Sequence, residues 1–146
     1  MIYGKDLNEN ELARREVLTN SPVIAIVGRS DDHYYSSYQV GDYLKQQGYT
    51  VYNVNPNVED IDGDTVYDSL SEIPEKVNIV DVFRRSQFLP EIVDEAIAIG
   101  AETVWGQLDV VSDEAQEKAL KAGLNFAQNL CIRTEHERLF DNLVEG

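Results

Sequence analysis

The residues best placed for ligand chemistry are Gly28-Arg29-Ser30 and, six positions after Ser30, the pair Ser36-Ser37. A glycine turn that leads into serines at the start of a helical pattern makes a cradle for phosphate. Free backbone N–H groups and the positive end of the helix dipole converge on the anion there. Three further groups have the same character: Asn55-Pro56-Asn57, Phe83-Arg84-Arg85-Ser86 and Trp105-Gly106-Gln107. Amides, hydroxyls, arginines and two aromatics are binding groups. The one carboxylate among them is Asp109, just past the last group. No close carboxylate pair, no Ser–His–Asp order and no His–carboxylate–His spacing is present, so neither a catalytic residue nor a metal site is expected. His33 and His136 lie far apart in the sequence.

The elements that position these groups follow from the apolar pattern. Val23–Val27 is a continuous apolar run, the signature of a strand buried on both faces, and it stops at Gly28. Helix 36–47, with Val40, Tyr43 and Leu44 inward, ends at Gly48. Strand 50–54 stops at Asn55-Pro56. A short extended piece at 65–67 and a helical turn at 69–72 precede strand 77–83. Helix 88–99, strand 103–105, helix 112–121 capped by Ser112, and strand 124–127 complete the series. Helices over 7–19 and 133–143 flank it. Alternating strands and helices give an α/β Rossmann-like fold: a doubly wound sheet of about five parallel strands, helices on both faces, three layers α/β/α. Ligands in such sheets bind beyond the carboxyl ends of the strands, where the strand order reverses. All four polar groups fall at strand ends. Gly41, inside a helix, costs about 1 kcal/mol against alanine, and close helix–sheet packing is the expected compensation.

Size and charge bound the function. The 146 residues form one domain, 1–146, with its core over 21–128. The net charge of -15 opposes a nucleic-acid partner, which needs a basic patch, and an anionic membrane surface. No apolar run is long enough to span a bilayer. The opening residues carry no basic stretch followed by an apolar one, so no signal peptide is expected. The single Cys131 cannot form an internal disulfide, which suits the cytoplasm, and it reads as a small buried apolar residue. The dinucleotide fingerprint G-x-G-x-x-G is absent, and Asn53, Asn55 and Asn57 stand where an acidic residue would hold a ribose diol. NAD is disfavoured. NADP stays open because Arg29 could meet a 2′-phosphate.

Several segments together carry a family resemblance: Ala25-Ile-Val-Gly-Arg-Ser30, Ser37-Tyr-Gln-Val40, Gly48-Tyr-Thr-Val-Tyr-Asn-Val-Asn-Pro56, Ile79-Val-Asp-Val-Phe-Arg-Arg85, Val104-Trp-Gly-Gln107 and Cys131-Ile-Arg-Thr-Glu-His136. The chain resembles the small stand-alone CoA-binding domain proteins, whose Rossmann-like fold is similar to the N-terminal domain of the succinyl-CoA synthetase α subunit. The likeness runs from about 21 to 140. It implies coenzyme A, or an acyl-CoA, lying across the strand ends. Gly28, Ser30, Ser36 and Ser37 would hold phosphates, with Arg29 and Tyr38 beside them. Asn55 and Pro56 would shape the adenosine side. Phe83, Arg84 and Arg85 would line the next stretch, with Trp105 and Gln107 beyond. One of the two arginines is expected in a surface ion pair, and Trp105 suits the core as well as a ligand wall.

The chain departs from the family pattern at Asp31-Asp32-His33-Tyr34-Tyr35, where basic residues and prolines are usual. Two carboxylates beside a pyrophosphate repel it, unless the loop folds away. The phosphohistidine-bearing second domain of the synthetase is absent, so ligase activity does not carry over. The expected function is binding of CoA without catalysis. Two alternatives stand beside it: an NADP-linked oxidoreductase or other nucleotide-using enzyme on the same fold, and a protein-interaction or regulatory module with a vestigial CoA site, whose acidic surface meets a basic protein partner.

Overall fold

A computed structural model describes residues 3–140. Seven strands form one sheet in the order β3-β4-β2-β1-β5-β6-β7. They are β1 (Val23–Val27), β2 (Thr50–Val54), β3 (Asp60–Ile61), β4 (Asp64–Tyr67), β5 (Ile79–Val82), β6 (Thr103–Gly106) and β7 (Asn125–Ala127). Every pairing is parallel except that of β3 with β4. Without the two-residue β3, the six parallel strands lie in the chain order third, second, first, fourth, fifth, sixth. This is the doubly wound order of dinucleotide-type sheets. The sheet is therefore larger than the five strands expected. The extended piece at 65–67 joins it through Asn53↔Val66 and Val54↔Tyr67, and a tight turn at Asp62-Gly63 adds β3.

Helices cover both faces. Helices α1 (Glu11–Asn20), α2 (Ser36–Gln46) and α5 (Ile132–Phe140) lie on one side, and α3 (Leu89–Ala98) and α4 (Asp113–Lys121) on the other. The alternation of β1 decides which face meets which layer. Ile24 and Ile26 join Leu18, Val40 and Leu44, whereas Ala25 and Val27 join Leu89, Val93 and Ala96. All five β1 residues are buried. Burying an aliphatic side chain of this size contributes about 1.5–3 kcal/mol, so β1 anchors both layers.

The ends of the elements shift for local reasons. The first helix starts at Glu11 instead of 7, because Asn10 is its N-cap and its Oδ1 accepts from the Ala13 N–H at 2.9 Å. Asp6 forms a parallel bridge with Phe126 instead, and a turn begins at Leu7. The Leu7 N–H donates to Phe126 O at 2.8 Å and the Phe126 N–H donates to Lys5 O at 3.0 Å, which covers the β7 edge. Residues 86–88 form a 3₁₀ turn before α3. Ser112 caps α4 as expected, its Oγ accepting from the Ala115 N–H at 3.1 Å. The last helix starts one residue early, at Ile132, and the expected 141–143 lie outside the described residues.

Candidate functional site

Strand order reverses between β1 and β5, so the carboxyl ends of these neighbours open a crevice. At its floor the two backbone segments almost touch. Gly28 has φ 90°, and a Cβ placed on it would lie 2.9 Å from Phe83 O. Only glycine permits both the backbone angle and the approach. A cleft of about 530 Å³ opens above, lined by Gly28, Ser30, Ser36, Ser37, Asn55 and Phe83. Tyr34, Tyr35 and Val58 complete its wall. The first turn of α2 faces this region through Ser36 and Ser37, and its N-cap residue Tyr35 makes no side-chain capping bond. The helix end thus keeps donors that a ligand can use.

The loop is held by its own hydroxyls and amides. Ser37 Oγ accepts from the Ser30 N–H at 2.9 Å, and Ser30 Oγ accepts from the Asp32 N–H at 3.0 Å. Asn55 Nδ2 donates to Arg29 O at 2.9 Å, while its Oδ1 accepts from the Asn57 N–H at 3.0 Å. Asn55 and Ser37 therefore shape the cleft as well as line it. The Asp32 carboxylate accepts from the Tyr34 N–H at 2.9 Å, so one of the two acidic groups is spent on the loop's own turn.

Arg29 points the other way. Its side chain runs under α2, where Nη1 donates to Asn53 Oδ1 at 2.8 Å and Nη2 to Tyr38 O at 3.1 Å. The guanidinium lies 4.9 Å from the centre of the Tyr38 ring. Burial pulls it below the usual arginine range, while Tyr38 and the carboxylates of Asp42, Asp64 and Asp62 oppose that shift. Arg29 is 2% exposed, so it cannot reach a ligand phosphate without leaving these partners. In this arrangement the Arg29 guanidinium is turned away from the position where a 2′-phosphate would meet it. Tyr38 donates its hydroxyl to Asp62, which also meets His33 Nε2 at 2.9 Å. Both contacts hold the Asp62 carboxyl below the usual range. This cluster ties the β3–β4 turn to the loop beside the cleft.

A second cleft, of about 370 Å³, adjoins the first and shares Ser36 and Phe83 with it. Arg84, Arg85 and Asp109 line it together with Val40, Leu108, Val110 and Cys131. Neither arginine has an ion-pair partner among the described residues, contrary to the expectation for one of them. The Arg84 guanidinium lies 4.4 Å from the centre of the Phe88 ring. Gln107 lines this cleft and accepts the Ile132 N–H at its Oε1, 3.1 Å, at the start of α5. Cys131 is half-buried at the cleft wall, not sealed in the core as its residue type predicts. Trp105 is fully buried, its Nε1–H donating to Leu130 O at 2.9 Å. It belongs to the core, and the expectation of a ligand wall there does not hold.

The CoA binding domain family matches this chain over residues 22–137. The chain belongs to that family. A hypothetical protein from Pyrococcus horikoshii OT3 is 38% identical, with a TM-score of 0.87 over 95% of this chain and 99% of its own. The uncharacterized protein YneT of Bacillus subtilis is 33% identical over 129 residues, 88% of this chain and 96% of its own length. A dinucleotide-forming acetyl-coenzyme A synthetase from Ca. Korarchaeum cryptofilum matches at a TM-score of 0.67 and 23% identity, over 78% of this chain and 27% of that one. At that identity the likeness establishes the shared fold alone.

Within this family member, the strand-end groups at 28–30, 36–37, 55 and 83 come together around one cleft, and those at 84–85 and 107 around its neighbour. Pro56 is exposed at the turn beyond Asn55. The sequence pattern missed Tyr34, Tyr35 and Val58. Two adjacent tyrosines in an acidic loop are a usable signal, and their side chains stand 90% and 60% exposed at the cleft wall. No group of three or more metal-ligating side chains exists among the described residues, and no described helix is long and apolar enough to cross a membrane.

Proposed function

We propose that this chain is a cytoplasmic coenzyme A-binding protein that performs no chemistry of its own. The pyrophosphate rests at the Gly28 turn and the first turn of α2. The adenosine lies toward Asn55, Pro56 and Val58, with Tyr34 or Tyr35 available to stack on the adenine. Arg84 and Arg85, with no ion-pair partner among the described residues, stand beyond the Gly28 turn, where their planar donors suit the pyrophosphate and the start of the pantetheine arm. The observation that carries this reading is the position of the cleft. It sits at the switch point of the sheet, on an uncapped helix end, in a chain of the CoA-binding domain family.

The lining of the first cleft contains hydroxyls, an amide and aromatics, groups that suit the binding of a nucleotide. The test is a thermal-shift panel with CoA, acetyl-CoA, NAD, NADP and ATP at matched concentrations. A ligand at 100 times its Kd stabilises the fold by about 2.7 kcal/mol. CoA species alone should shift the transition. A shift with NADP alone would replace this reading with an oxidoreductase one, and no shift with any nucleotide would leave a protein-interaction role on the acidic surface.

A further inference from the structure

The second cleft carries a feature that CoA itself does not require. Leu108 is 61% exposed and Val111 is 46% exposed, both on the loop from β6 to α4 beside that cleft. The loop is pinned along its length. The Val110 N–H donates to Gln107 O at 2.9 Å and the Asp109 N–H to Asn129 Oδ1 at 2.8 Å. Ser86 Oγ donates to Asp109 O at 3.1 Å and accepts from the Val111 N–H at 2.9 Å. Asp109 adopts φ 68°, a left-handed turn conformation that Asp tolerates better than most residues with a Cβ. A loop pinned in this way holds its exposed aliphatic side chains in place, and exposed apolar surface beside a cleft is a pattern of ligand sites.

We propose that this cleft binds the hydrocarbon tail of an acyl group carried on CoA, so that the preferred ligand is an aliphatic acyl-CoA and not free CoA. This rests on the CoA reading above and deepens it. The occupant follows from continuity, because the cleft shares Ser36 and Phe83 with the candidate phosphate site. Chemistry separates the tail from the rest of the cofactor. The amides and hydroxyl of the pantetheine arm need polar partners, which Ser36, Arg84 and Arg85 can supply. The aliphatic part of the wall, Val40, Leu108 and Val110, offers an amide nothing and suits methylene groups.

Calorimetric titration of the whole chain with CoA, acetyl-, butyryl-, hexanoyl- and octanoyl-CoA tests this. Each buried methylene strengthens binding by about fourfold, ~0.8 kcal/mol, until the tail leaves the cleft. The expected result is at least a tenfold gain from acetyl- to hexanoyl-CoA. Leu108→Ser, a change at an exposed position, should flatten that series. Binding of CoA with no dependence on chain length would overturn the acyl proposal and leave the CoA reading intact, as would a slope unchanged in Leu108→Ser. Failure of every member of the series to bind would remove both. Self-association at high concentration that Leu108→Ser abolishes, with no chain-length dependence, would assign the patch to contact between copies and overturn the proposal.

Discussion

The guanidinium of Arg29 occupies the space that a Cβ on Gly41 would need, with Nε 2.4 Å and Cζ 2.5 Å from that position. The mid-helix glycine is thus explained by a side chain reaching from the β1 loop under α2, where it holds Asn53 and Tyr38. Helix propensity and packing then predict opposite signs for Gly41→Ala. Propensity alone favours alanine by about 1 kcal/mol. Displacing a buried guanidinium from its acceptors outweighs this, as overpacking typically costs about 1–3 kcal/mol. Gly41→Ala should destabilise in urea denaturation. Pairing it with Arg29→Ala should remove the clash component, read as a favourable coupling energy in a double-mutant cycle.

Gly28→Ala tests the crevice floor. The substitution asks an alanine to adopt φ 90° and to place its Cβ 2.9 Å from Phe83 O, a backbone atom that cannot rotate away. Such strain costs roughly 1–3 kcal/mol. We expect a lower Tm together with loss of the CoA-induced thermal shift. A fully retained CoA shift would put the phosphate elsewhere.

The acidic loop sets the ionic-strength dependence. Asp31 and Asp32 are exposed beside the cleft, and each repels an arriving polyanion. Asn at both positions keeps the acceptor that Asp32 Oδ1 offers to the Tyr34 N–H. The double variant should bind CoA several-fold more tightly at low salt. The advantage should fade toward 1 M salt, where the screening length falls to about 3 Å. Equal affinities at low salt would show that the loop charges do not face the ligand.

Asp81 on β5 predicts a pH effect. It is fully buried, and neither carboxyl oxygen has a protein hydrogen-bond partner. Desolvation, with a smaller contribution from nearby Cys131, pushes this carboxyl well above the usual range. The folded state therefore holds a proton that the unfolded chain releases near its ordinary value of about 3.9. Stability from this group is fully present below that value and is lost as pH rises toward the raised folded value, by at most about 1.4 kcal/mol per pH unit. Asp81→Asn should remove that slope, so the stability of the variant relative to the natural protein should climb with pH above about 4. Parallel curves from pH 4 to 8 would show that the carboxyl is solvated.

Cys131 reports on occupancy. It lines the second cleft half-buried, so a small thiol reagent should modify it in the free protein. Saturating CoA should slow the modification at least several-fold, read by mass spectrometry. An unchanged rate under saturation would mean that the ligand stops short of this cleft.

The layered α/β architecture was legible in the sequence because burial on both faces leaves a local mark. The run Val23–Val27 and the glycine stops at 28, 48 and 100 are contiguous signals, and each marks the end of an element in the fold. The strand-end polar groups were legible for the same reason, since a parallel sheet places every such end on one edge. Direction and depth of side chains were not. Arg29 and Ser30 are adjacent, yet one turns under α2 and the other faces the cleft, because Gly41 leaves a space that is 12 residues away in sequence. Trp105 sinks into the core through Leu130 O, and Cys131 reaches the wall of the second cleft. The pairing of β4 with β2 depends on two register contacts with no local pattern. Sequence periodicity records whether a residue is buried, whereas what it is buried against depends on partners that only the closed sheet and its helices bring together.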